Sequence, residues 1–144
     1  MQKRIIVLLA GFICLAAIFA GCTGTGSGPA ASTGGTGTQV NLQPSPTDVV
    51  PSQNSVAVTI APKEYDGSIT TSFDGGIGQV HVKKIEVIVY CPNGEVKTGT
   101  ISPEKGEFVK IQGTKQADRV VVYVTFDNGS RLKTNDVMSV YRTR

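Results

Sequence analysis

Tryptophan is absent, histidine occurs once, and aromatic residues make up only 6% of the 144-residue chain. Without tryptophan or clustered tyrosines there is no stacking platform of the kind that holds bases or sugars. One histidine and three cysteines exclude a Cys₂His₂ or Cys₄ zinc site, and every catalytic arrangement that needs two imidazoles. A strong excess of one charge is lacking too. The 14 Lys and Arg stand against 11 Asp and Glu, a net +3 that argues for neither nucleic acid nor a polybasic membrane switch. The length leaves room for one compact domain with accessories, not for a multi-layer enzyme.

What is present is unevenly placed. Lys3 and Arg4 precede residues 5–20, sixteen in a row without charge. As a helix they would reach about 24 Å, short of the roughly 30 Å hydrocarbon core. A basic start, an apolar run and small residues after it make the pattern of a secretory signal. Its end, Phe19-Ala20-Gly21-Cys22, resembles a lipobox. That resemblance implies that residues 1–21 leave as a lipoprotein signal peptide and that the Cys22 thiol takes a lipid by a thioether. Two alkyl chains, at about 0.8 kcal/mol per buried CH₂, hold a protein firmly where one is marginal. Three other readings stay open: a plain secretory cut before an ordinary Cys22, an uncleaved leader kept as an anchor, and a Cys22–Cys91 disulfide. Cys14 departs with a cleaved leader, and Cys91 is then expected to be a buried small hydrophobe.

Residues 23–55 follow, 33 positions with six Gly, eleven Ser or Thr, four Pro and Asp48 as the only charge. So little apolar area cannot offset ordering entropy, so residues 22–55 are expected to be the lipidated cysteine and a disordered tether. Its mean reach is roughly 30 Å.

Residues 56–144 carry the strand pattern. Alternation runs through 56–60, 68–73, 84–90, 96–101, 108–111 and 119–126, with a return strand through Leu132. In 84–90, Ile85, Val87 and Val89 share one face and Glu86, Ile88 and Tyr90 the other, the mark of a central strand. Val80 and Val82 fall on the opposite phase, which predicts a bulge near Lys83-Lys84. Residues 74–78 read as a turn, and Asn93-Gly94 and Asn128-Gly129 as type I′ hairpin turns. The fold class expected is all-β: a small antiparallel β-sandwich, immunoglobulin-like, with about seven strands. A variable-type immunoglobulin domain is excluded, since this part has one cysteine and no tryptophan.

Phe73-Asp74-Gly75-Gly76 followed by Val82-Lys83-Lys84-Ile85-Glu86-Val87, and the run from Gly113 through Val120-Val121-Val122-Tyr123-Val124 to Asn128-Gly129-Ser130, resemble the C-terminal β-domain of archaeal type IV pilin-like proteins. The resemblance implies an extracytoplasmic β-domain and, as one alternative, a minor type IV pilin-like subunit. Pilin leaders are cut before the apolar helix, after a basic pair followed by a small residue; here Arg4 is followed by Ile5. With the Ala-Gly-Cys end, a lipid-tethered relative fits better than a filament subunit.

The candidates for chemistry each have a plainer explanation. Gly75-Gly76-Ile77-Gly78 lacks the helix and the Lys-Ser/Thr of a phosphate loop. His81, the only imidazole, reads as an exposed strand position beside two lysines. Asp66, Asp74 and Asp127 sit in turns, where Asp bonds locally. Lys83, Lys84, Lys97, Lys105, Lys110 and Lys115 are scattered among acids and read as solubilising charges. Asn128-Gly129-Ser130 is an N-glycosylation acceptor triplet on a hairpin tip.

The function expected is a non-catalytic, lipid-anchored module on the outer face of the cytoplasmic membrane, with no cofactor and no metal. Its partners would be the membrane, through Cys22, and a cell-envelope protein or glycan; nucleic acid is not expected, and the domain should be a monomer. A small-ligand-binding lipoprotein is a further alternative, disfavoured because so small a sandwich has little volume for a pocket of about 300 Å³.

Overall fold

A computed structural model describes residues 40–141. The leader, Cys22 and the Gly/Thr-rich first part of the tether lie outside the described residues. Seven strands form two antiparallel sheets. One holds β1 (Ala57–Ile60), β2 (Ser68–Gly75) and β5 (Phe108–Gln112), in the order β1-β2-β5. The other holds β3 (Val82–Tyr90), β4 (Val96–Ile101), β6 (Asp118–Phe126) and β7 (Arg131–Ser139), in the order β4-β3-β6-β7. The all-β antiparallel sandwich read from the alternation is therefore the fold. Its fourth strand pairs with the third, whereas an immunoglobulin constant-type domain adds it to the sheet of the first, second and fifth.

Alternation explains the core. Ile85, Val87 and Val89 of β3 lie opposite Val124, Val122 and Val120 of β6, and all six are fully buried. The facing sheet sends in Ile69, Phe73 and Ile111, and Cys91 joins the same cluster. Each such side chain contributes about 1.5–3 kcal/mol by leaving water. The expected bulge is present: the β3–β6 register shifts between Val82 and Lys84, so Val82 and Ile85 both point inward.

The connections differ from the sequence reading in two places. Residues 74–78 are not one turn; β2 continues to Gly75, and a 3-10 helix, Ile77–His81, leads into β3. Five residues are too few to show a helical period. The two Asn-Gly hairpins are three-residue loops rather than type I′ turns. Cys91 N–H donates to Glu95 O and Gly94 N–H to Cys91 O, and Phe126, Gly129 and Ser130 repeat this arrangement. At the first hairpin the reason is Pro92: without an N–H it cannot close a two-residue loop against Glu95, so the closing pair moves out to Cys91.

Candidate functional site

Tether composition predicts disorder up to Ser55, but residues 40–55 lie along the outside of the sandwich and are held by polar contacts. Arg119 Nη1 donates to Asn41 O at 2.9 Å. Ser45 donates from both N and Oγ to Asp136 Oδ2, at 3.0 and 2.9 Å. Asp48 N–H donates to Lys133 O at 2.9 Å, and Lys133 N–H returns to Asp48 Oδ2 at 2.7 Å. At Lys133 the strap takes up both backbone groups on the open edge of β7, which would otherwise be offered to another chain. A short 3-10 helix, Ser52–Asn54, then turns the strap into β1. It packs so closely on Gly78 that a Cβ there would lie 2.3 Å from the Asn54 backbone. Only glycine fits.

The centre of the strap contact is Asp136. Arg119 grips its carboxylate with two parallel bonds, Nε to Oδ1 at 2.7 Å and Nη2 to Oδ2 at 2.6 Å. Lys133 Nζ lies 3.4 Å from Oδ2 and 2.6 Å from Ser45 Oγ. The Arg119 bonds hold the Asp136 carboxyl well below the usual carboxylate range, outweighing its burial, and the Ser45 donors push the same way. Arg119 also approaches the Tyr90 ring, and Arg131 lies 3.6 Å over the centre of the Tyr123 ring. This outer face is thus occupied by cations stacked on aromatics rather than open to a planar ligand.

A second ion pair lies on the opposite side of β6. Lys63 Nζ donates to Asp118 Oδ2 and to Gln116 O, each at 2.6 Å, and both side chains are 0% exposed. Thr114 completes the carboxylate's partners through N–H and Oγ–H, each at 2.7 Å. Burial, then the Asp118 charge, push the nearby Cys91 thiol up, which leaves it a protonated, unreactive core residue.

Two open clefts adjoin Lys63. One of about 220 Å³ runs between Ile60–Lys63 and Val137–Val140; the other, of about 500 Å³, is bounded by Pro62, Lys63, Glu64, Tyr65 and Asp66. The second exceeds the volume expected from a sandwich of this size, because it lies outside the packed sheets, against a loop. The Lys63 ammonium is directed to Asp118 and Gln116 rather than into either cleft.

The far end of the sandwich gathers the remaining candidates. His81 is not a strand residue: it ends the 3-10 helix, and its Nδ1 lies 2.8 Å from Asp127 Oδ2 with both side chains exposed. Asp127 N–H donates to His81 O, so the β6–β7 hairpin and this helix are tied by backbone as well. The His81 contact holds the Asp127 carboxyl below its ordinary value. Ile77 and Val80 on the same helix are 81% and 83% exposed. Asn128, singled out from its triplet, is exposed on the hairpin tip. Gly75 and Gly76 lead into this 3-10 helix of five residues. Among the described residues no group of three or more His, Cys, Asp or Glu could hold a metal ion, and no helix is long and apolar enough to cross a membrane. Of the scattered lysines, Lys84, Lys97 and Lys110 pair with Glu86, Glu95 and Glu64 at the surface.

Comparison with protein-family models, curated proteins and solved structures finds no match for this chain.

Sequence reading missed the strap, the Asp136 latch and the Lys63–Asp118 pair. The one available signal for the last was an aspartate, Asp118, opening a strand whose remaining residues are mostly apolar.

Proposed function

We propose that this protein is a non-catalytic surface module, a lipid-tethered relative of the pilin-type β-domain, that displays one end of its sandwich to a cell-envelope protein or glycan. The observation that carries this reading is the path of the strap. It meets Arg119 near the start of β6, passes Asp136 and Lys133, and reaches Gly78 beyond the end of β6. Nine strand residues span about 30 Å, so the described residues begin at one end and Ile77–His81 stands at the other. A domain hung this way would hold Ile77, Val80, His81 and Asn128 outward from the membrane. Ile77 and Val80, three apart on one 3-10 helix, are apolar surface available to a partner at this end.

The test is fractionation of the full chain and its Cys22→Ser variant in the native host. The parent is expected in the membrane fraction with its domain open to external protease, and the variant in the soluble extracytoplasmic fraction. A variant that sediments with membranes as the parent does would remove the lipid anchor from the reading.

A further inference from the structure

We propose that Asn128 carries an N-linked glycan. The proposal rests on the reading above in one respect, that the hairpin is exposed outside the cytoplasm, where the transferase works. Two hairpins of this domain share one loop geometry and serve as a comparison built into the chain. In each, an Asx turn lets the asparagine Oδ1 accept the backbone N–H two residues on: Asn93 from Glu95 at 3.1 Å, and Asn128 from Ser130 at 2.9 Å. Each has a glycine of left-handed conformation next, Gly94 at φ +88° and Gly129 at φ +82°.

The turn therefore explains asparagine and glycine in both places, and it explains nothing about the third residue. Only at Asn128 is that residue a hydroxyl. Ser130 Oγ donates to Asn128 Oδ1 at 2.7 Å, a second bond to the same oxygen. Two donors on Oδ1 hold the amide plane fixed, while Nδ2 donates to no group among the described residues. Asp127, Asn128 and Gly129 are all exposed, and a Cβ on Gly129 would meet nothing within 4 Å. A sugar has room to leave the tip without displacing protein.

The chemistry balances with one co-reactant, an oligosaccharide on a polyprenyl phosphate. Nδ2 attacks the anomeric carbon and forms the N–C bond. The C–O bond to phosphate breaks, the lipid phosphate departs with the electron pair, and the proton lost from Nδ2 passes to a base of the transferase. The glycan would rise beside the His81–Asp127 contact, at the end proposed to face outward.

The full chain purified from its own host and digested with trypsin tests this by mass. The peptide of residues 120–131 is expected to carry hexose-type mass, while the peptide of residues 85–97, with Asn93, stays unmodified. Asn128→Gln and Ser130→Ala should each abolish the addition, and Ser130→Thr should keep it. Cys22 is read in the same digest. An unmodified 120–131 peptide on a lipidated chain overturns the glycan alone; an unmodified one on a chain with unlipidated Cys22 overturns both readings. Sugar on Asn128 with no lipid on Cys22 supports the glycan and removes the anchor.

Discussion

Asp118 and Arg119 are neighbours on β6, and the pleat of the strand sends their side chains to opposite faces. Each ends in an ion pair, yet the two pairs hold different things. Asp118 and Lys63 are sealed between the loop after β1 and the start of β6, with no exposed surface on either side chain. Arg119 and Asp136 lie on the outer face, with side chains 12% and 0% exposed, and they close over the strap. The inner pair ties strand to strand within the sandwich. The outer pair fastens a segment whose Val50 also packs against the core of the sandwich. What each holds, and whether a substitution strands a charge, sets how much each matters: leaving one buried charge without its partner costs far more than forming the pair contributes.

The largest effect is therefore expected at the inner pair. Lys63→Met removes the cation and leaves Asp118 charged or forces it to take a proton, and it should cost about 3–5 kcal/mol. Urea unfolding followed by far-UV circular dichroism measures this. A loss no greater than that of an exposed lysine such as Lys115→Met would mean that water reaches Asp118 and that the contrast between the two pairs is false.

At the outer pair the loss should be smaller and local. Asp136→Asn keeps the shape but gives up charge-assisted bonds to Arg119 and Ser45, a cost of about 1.5–3 kcal/mol. Limited proteolysis with thermolysin should then cut near Val49-Val50 while the sandwich stays whole. The effect also has a pH signature. The folded Asp136 carboxyl is held below its ordinary value, so its contribution is complete above the unfolded aspartate pKa of about 3.9 and is lost as pH falls below it. The gap in stability between parent and Asp136→Asn should accordingly be constant from neutral pH to about pH 5 and narrow in stronger acid. A gap that opens on acidification would reverse the assignment.

The sandwich was legible because period-2 alternation is a local property: Ile85-Val87-Val89 and Val120-Val122-Val124 name their own inward faces. Even the bulge at Lys83-Lys84 showed itself as a change of phase. The strap was not legible, because it is held by few contacts to residues far along the chain, as Ser45 is to Asp136, and a Ser/Pro-rich segment announces no such partner. For the same reason nothing in the sequence singled out Lys63. Composition reports how much a segment can bury; it is silent on which single polar group another part of the fold needs. His81 was misplaced by a smaller margin, since the glycines before it hid a helix of five residues.

The smallest effect expected belongs to the contact at the outward end, which resembles the other pairs on paper. His81 Nδ1 is as close to Asp127 as the charged groups of the buried pairs are to each other, within a few tenths of an ångström. Both partners are about half exposed, however, at 47% and 50% for the side chains. Water solvates each of them nearly as well apart as together, and exposed pairs of this kind contribute little or nothing. The backbone bond from Asp127 N–H to His81 O does not need the imidazole. His81→Ala is thus expected to leave the melting temperature unchanged within error at neutral pH, and to leave the hairpin's amide exchange as slow as in the parent. If it instead lowers the melting temperature as far as Asp136→Asn does, exposure is not what separates these pairs, and the tip is held by its side chains rather than by the backbone beneath them.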